Sequence, residues 1–174
     1  CSGLVGSEMC IRDSSLGAKV ELIKEKKIIK ITNNKRHKLV VPYNLVSTMR
    51  AGVLTMGPLL ARYPKNKIKV ALGGGCALGI RDTSWHLSGF KSLGAVNTLS
   101  KGYVNIYSKN GLKGNIYKFP KVTVTGSSNL IMASVLISGE HIIKNISIEP
   151  EVKDLIKFLN NSGAKIKFIG KRSI

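Results

Sequence analysis

Acid is the scarcest chemistry in this chain. Only 9 of its 174 residues are Asp or Glu, against 28 Lys or Arg, and the net charge is +19. Cysteine is scarce too. Cys1, Cys10 and Cys76 are odd in number and irregularly spaced, with no CxxC pair and no Cys/His cluster. That excludes a disulfide framework and a Cys/His zinc site, and it points to a reducing compartment. No apolar run approaches the roughly 18 residues of a bilayer span, and no charged start leads into an apolar block. Neither a membrane segment nor a signal peptide is predicted. Aromatic residues make up 6% of the chain, which leaves little for stacking on bases.

What is present suits one domain, or one lobe of something larger. The hydrophobic fraction of 43% is enough for a core. The positive charge fits either a polyanionic partner or a Lys-, Ile- and Asn-rich composition serving a small anionic substrate. The lysines are scattered, as in Lys24, Lys38, Lys67, Lys101, Lys118, Lys144 and Lys165, and no block of like charge forms. The second reading is therefore preferred, with no nucleic acid and no membrane as partner.

Residues 1–14, CSGLVGSEMCIRDS, show no helical or strand period. Glu8 to Asp13 can be encoded by GAG ATG TGT ATA AGA GAC, which resembles a transposase-end sequencing adapter. We therefore expect a non-native tail over 1–14 and a partial domain over 15–174.

Three stretches resemble one another: SLGAKVELI (15–23), SLGAVNTLS (92–100) and SGAKIKFIG (162–170). Their period is far longer than a solenoid unit and suits a module of several elements. Before Gly94, Leu87, Phe90 and Leu93 fall near one helical face. Before Gly163, Pro150 suits a first helical turn, and Val152, Leu155, Ile156 and Leu159 follow at i, i+3, i+4 and i+7. β-rich segments follow the glycines, at 19–32 and 103–119, the latter with a hairpin turn predicted at Lys109-Asn110-Gly111. A second helix is expected over 44–62, with Val46, Met49, Val53, Met56 and Leu60 as its stripe and Pro58 bending it. Another is expected over 127–137. Strands are expected at 67–72 and 141–148.

The stretch LGGGCALGIRD (72–82) carries the most chemistry. Its glycines do not have dinucleotide-loop spacing, and no Gly-Lys-Ser/Thr follows. His86 lies at a helical position and is expected to pack locally rather than serve a cysteine protease. Two readings of Cys76 stay open on the residues alone. It is either a thiol activated by Arg81 and a helix start, or a small buried hydrophobe.

Four blocks in order, VPYNLVSTMRAGVLTMGPLLARY, GGGCALGIRDTSWHLSGFKSLGA, KVTVTGSSNLIMASVLISGEHIIKN and EPEVKDLIKFLNNSGAKI, resemble the first domain of the enolpyruvyl transferases. The likeness is to the branch that acts on UDP-N-acetylglucosamine, and it covers residues 15–174. It implies an α/β fold, an inside-out α/β barrel of three helix/strand pseudo-repeats. It also implies transfer of enolpyruvyl from phosphoenolpyruvate to the 3′-hydroxyl of the UDP-sugar with loss of phosphate, in the cytoplasm and with no metal or organic cofactor. On this resemblance Cys76 is the proton donor and site of a pyruvyl adduct. Arg50 and Arg81 face phosphate and carboxylate. Asp82, Thr83, Ser84 and Trp85 line the UDP-sugar together with Lys121, Val122, Thr123 and Val124. The pattern departs from the family's Arg-Pro-x-Asp-Leu-His at residues 82–85, and Thr125 replaces a glycine. The family's Lys-Asn pair, its base for the sugar hydroxyl and a further phosphate-binding arginine lie outside these blocks, the last two on a second domain that completes the site. The alternatives are the related transferase acting on shikimate 3-phosphate, which lacks the cysteine loop, and a basic nucleic-acid-binding domain.

Overall fold

In the computed structural model, residues 14–23, 28–33, 38–47, 50–72 and 83–174 are described. Apart from Ser14, the expected tail lies outside them. The internal repeat is plain in the order of elements. The first copy has strands β1 (Lys19–Ile23), β2 (Ile28–Thr32) and β3 (Val40–Val41). Helix α1 (Tyr43–Ser47), a 3-10 helix (Arg50–Thr55), α2 (Met56–Arg62) and β4 (Ile68–Ala71) follow. The second copy begins with α3 (Ser84–Ser92) and runs through β5 (Val96–Ser100), β6 (Tyr103–Tyr107) and β7 (Ile116–Lys118). It continues through α4 (Val124–Ser134) and β8 (Ile142–Lys144), and the third opens with α5 (Pro150–Asn161).

The copies share backbone geometry as well as order. Gly17, Gly94 and Gly163 have φ of 108°, 88° and 101°, a left-handed turn that glycine enters without strain and that ends each preceding helix. The residue before the first two glycines is buried apolar, Leu16 or Leu93, and its carbonyl accepts from a lysine amide, Lys38 N (2.8 Å) or Lys113 N (2.9 Å). Antiparallel ribbons follow, β1 with β2 and β5 with β6. Then come parallel pairs, β3 with β4 and β7 with β8. Strand β6 adds antiparallel to β4, and in the third copy Arg172–Ile174 approaches β8 in the same sense. Ile143 N donates to Ile174 O (2.9 Å), Ile174 N to Ile143 O (3.0 Å), and Lys144 bridges Ser173.

The helices lie inside and the strands outside, in three separate sheets among the described residues. Helix α4 is buried along most of its length and packs against α2, α3, α5 and the 3-10 helix. Met56, Leu60, Phe90, Leu130, Ile131, Val152 and Ile156 fill this interior. Ile68, Val70, Val104 and Ile106 close it from the sheet side with no exposure at all. Each such side chain gives about 1.5–3 kcal/mol on burial. The helical stripes before Gly94 and Gly163 face this core as their spacing predicts.

Three expectations are corrected. The hairpin turn of the second copy is Lys101-Gly102, not Lys109-Asn110-Gly111. Both of its residues have positive φ (49° and 73°) between the paired Ser100 and Tyr103, the conformation whose twist matches a two-residue hairpin. Lys109-Asn110-Gly111 instead turns the chain out of β6, with the buried Ser108 hydroxyl 2.7 Å from Gly111 O. The helix expected over 44–62 is divided into α1, the 3-10 helix and α2. Thr55 Oγ1 donates to Gly52 O (2.7 Å), a local bond that competes with regular helix. Pro58 then falls in the first turn of α2, where its missing N–H costs nothing, so it does not bend a helix interior. The last helix of the second copy begins and ends earlier than expected, because Thr123 caps it.

Two packing contrasts are testable. Val20 pairs with Ile31 in the first ribbon and Asn97 pairs with Ile106 in the second, so Ile31 and Ile106 are counterparts. Ile31 is 52% exposed and Ile106 0%, because only β6 has β4 on its other edge. Ile106→Lys should cost about 3 kcal/mol or more by burying an unpaired charge, and Ile31→Lys under about 0.5 kcal/mol. Urea midpoints of the two variants check this. At Gly57 a Cβ would strike the Asn129 backbone carbonyl, so Gly57→Ala should force α2 from α4 and destabilise by about 1–3 kcal/mol in the same assay.

Candidate functional site

The chain leaves β7 through Phe119, whose ring is fully buried and packs edge-on to Tyr117 at 4.9 Å. Phe119 N donates to Lys144 O (3.1 Å), and its carbonyl accepts from Asn145 Nδ2 (2.8 Å). So anchored, the backbone turns at Pro120 and presents Lys121 and Val122 to solvent. Thr123 then adopts an extended conformation and caps α4, its Oγ1 accepting from Gly126 N at 3.2 Å. Val124, 37% exposed, opens the helix.

Thr83 stands at the start of α3 with no side-chain cap bond, followed by exposed Ser84 and by Trp85, partly buried against the core. His86, next in line, is buried. Its Nε2 lies 3.5 Å from Thr125 Oγ1 in the first turn of α4, and its Nδ1 3.0 Å from Asn129 Nδ2. One turn on, Gly89 lies against Leu130. Contacts therefore advance together along both helices, and the starts of α3 and α4 sit at the same end.

Neither helix has an acidic residue in its first turn. Their partial positive charges are left uncompensated, with the exposed ammonium of Lys121 beside them. Paired helix starts with a cation near them suit an anionic ligand. Of the predicted site residues, the structure thus places Thr83, Ser84 and Trp85 at the start of α3 and Lys121, Val122, Thr123 and Val124 at the start of α4, at the same end of the two helices. Arg50 begins the 3-10 helix, which also packs on α4. Cys76, Arg81 and Asp82 lie outside the described residues, in the connection from β4 to α3.

Asn129 escaped the sequence reading. Fully buried, it accepts from Gly57 N (2.7 Å) and donates to Val53 O (2.9 Å) and to His86, joining three helical segments. The available signal was a lone carboxamide inside an otherwise apolar and serine-bearing run. A cleft of about 900 Å3 opens at the far end of α4, lined by Ile131, Ser134, His141, Ile143 and Asn160 among others. No predicted substrate residue lines it. Among the described residues, no group of His, Cys, Asp and Glu is placed to hold a metal, and no helix is long and apolar enough to cross a membrane.

The chain has relatives among known proteins. A UDP-N-acetylglucosamine 1-carboxyvinyltransferase from Pelagibacter ubique is 46% identical over 160 residues, covering 92% of this chain and 37% of that protein. The enzyme of the same name from Myxococcus xanthus is 47% identical over 133 residues, covering 76% of the chain and 31% of the relative. The match thus spans about a third of the length of these relatives. In structure it is similar to the enolpyruvyl transferase NikO from Streptomyces tendae, with a TM-score of 0.78 at 14% identity over 98% of the chain and 39% of that protein. It is also similar to EPSP synthase from Acinetobacter baumannii, with a TM-score of 0.69 at 19% identity over 96% of the chain and 38% of that protein. These two likenesses establish the mixed α/β fold. The model of the family described as EPSP synthase (3-phosphoshikimate 1-carboxyvinyltransferase) matches residues 10–174, and the chain belongs to that family of enolpyruvyl transferases.

Proposed function

We propose that this chain is the substrate-lining part of a UDP-N-acetylglucosamine 1-carboxyvinyltransferase. In that reaction the enolpyruvyl group of phosphoenolpyruvate passes to the 3′-hydroxyl of the UDP-sugar and phosphate leaves, a cytoplasmic step toward peptidoglycan. The observation that carries the reading is the placement of residues 83–85 and 121–124 at the same end of two helices whose first turns carry no acidic side chain, in a chain whose relatives of this name are 39–47% identical.

In this reading Lys121 faces the diphosphate, and backbone groups of Val122, Thr123 and Val124 hold the nucleotide from one side. Asp82, Thr83, Ser84 and Trp85 hold it from the other. Arg50 and Arg81 take the phosphate and carboxylate of phosphoenolpyruvate, where planar guanidinium forks match oxyanions better than an ammonium does. The Cys76 thiol gives its proton to the methylene carbon, and its sulfur can then bond the adjacent carbon of the pyruvyl unit. The base for the sugar hydroxyl comes from the second domain of the parent protein. The shikimate 3-phosphate reading is weaker, since the EPSP synthase structures are similar at 18–19% identity and speak for the fold alone.

In the complete transferase, fosfomycin should add one equivalent to Cys76 by peptide mass spectrometry, and Cys76→Ala should remove both the adduct and phosphate release. An unmodified Cys76 in an active enzyme overturns the assignment. The 174-residue chain alone should release phosphate at the background rate, and ordinary turnover by it would overturn the division of the site.

A further inference from the structure

We propose that His86 is a positioning residue that sets the spacing of the two UDP-sugar-lining segments, acting through Thr125 while Asn129 fixes its proton on Nε2. This rests on the function proposed above and adds to it a group that touches no substrate.

The hydrogen-bond inventory determines the tautomer. An amide side chain has one acceptor oxygen and two N–H donors. Asn129 Oδ1 receives Gly57 N at 2.7 Å, which orients the carboxamide. Its Nδ2 then directs one hydrogen to Val53 O (2.9 Å) and the other to His86 Nδ1 (3.0 Å). Nδ1 must accept, so the neutral ring carries its hydrogen on Nε2, aimed at Thr125 Oγ1 at 3.5 Å. That distance is at the outer limit of a hydrogen bond. Its importance comes from where it acts. His86 directly follows the segment ending at Trp85, and Thr125 directly follows the segment ending at Val124. The imidazole is thus a spacer between them, clamped at its far edge by a fully buried amide that cannot rotate without orphaning Gly57 N and Val53 O.

The test uses the complete transferase with UDP-N-acetylglucosamine as the probe. Thr125→Val keeps the shape and removes the acceptor. It should weaken UDP-sugar binding roughly five- to tenfold in titration calorimetry, with the KM for phosphoenolpyruvate and kcat changed less than about twofold. His86→Asn can still accept from Asn129 but falls short of Thr125, and should match Thr125→Val. His86→Gln places an amide N–H toward Thr125 and should recover most of the affinity, even as it loses the Asn129 bond and melts earlier. Ser162→Ala, which removes the 2.9 Å bond to Phe158 O at the end of α5, outside this chain of bonds, serves as the control and should bind as the parent does. Nitrogen NMR of labelled histidine should find His86 protonated on Nε2 alone.

Parent-like affinity in both Thr125→Val and His86→Asn overturns the proposal, as does a proton found on Nδ1. If the unsubstituted transferase itself does not bind UDP-N-acetylglucosamine, the proposed function falls first and this inference with it. A merely structural role predicts a lowered melting point with unchanged affinity, and that outcome too overturns it.

Discussion

A helix surrounded by other helices has nowhere to send a polar group, and α4 is in that position. Most of its residues are buried, including Ser127, Ser128, Asn129 and Ser134. Unsatisfied, each such group would cost about 1–3 kcal/mol. The serines fold back onto their own helix. Ser127 Oγ donates to Thr123 O (2.6 Å), Ser128 Oγ to Val124 O (3.0 Å), and Ser134 Oγ to Leu130 O. Ser127 Oγ also receives Ser147 N at 2.9 Å, which ties the segment after β8 to the helix. Asn129 spends all of its side-chain bonds outward, on Val53, Gly57 and His86. Small hydroxyls that satisfy themselves let neighbours approach closely, and the one outward-reaching amide fixes where those neighbours stop.

That constraint explains why the candidate site lies at one end of the helices rather than in the apolar cleft at the other. The outward bonds of Asn129 hold the 3-10 helix, α2 and α3 against α4 near its first turns. The segments 83–85 and 121–124 are therefore presented from a rigid platform. At the far end the cleft beside Ser134 and His141 is walled mostly by apolar side chains. Lys165 and Lys167 also line it, but no predicted substrate residue does. Volume alone does not identify a site for an anion.

Much of the fold was legible because single residues carry unambiguous physics. Pro150 begins α5 and Gly163 ends it, and Val152 and Ile156 are buried on one face as their spacing requires. The repeat was legible through Gly17, Gly94 and Gly163, since a left-handed turn leaves a residue mark that recurs wherever the module does. The failures have equally local causes. Lys101 carries no turn signal, yet it takes φ 49° because the ribbon demands it, while the better-looking Asn110-Gly111 serves another bend. The period of Val46, Val53, Met56 and Leu60 is helical, but periodicity does not register the break at Thr55, which a side-chain bond decides. At the site, residues 83–85 and 121–124 were reached through family resemblance and not through pattern. Asn129 was invisible because its meaning depends on Gly57, 72 positions away.

The positive charge now divides into two parts with different causes. Lys67, Lys101, Lys118, Lys144 and Lys165 are all exposed, on the strands, their turns and the segment after α5. Exposed strand edges invite pairing with other chains, and lysines there oppose it by repulsion and by hydration. Strand β2 shows the same device. Ile28, Ile29 and Ile31 are exposed around Lys30, whose ammonium stands 4.0 Å from Glu21, while Lys19 approaches Glu21 at 2.6 Å. The Lys19 ammonium holds the Glu21 carboxyl below its usual range by hydrogen bond and charge, so this exposed cluster stays ionised. None of this bears on substrate. The positivity at the proposed site is short-ranged: two helix starts, Lys121, and no carboxylate in the first turns of α3 and α4. Among the described residues, part of the positive charge is thus a coat on the outer strands and their turns, while the proposed chemistry uses a few donors at one end of two helices.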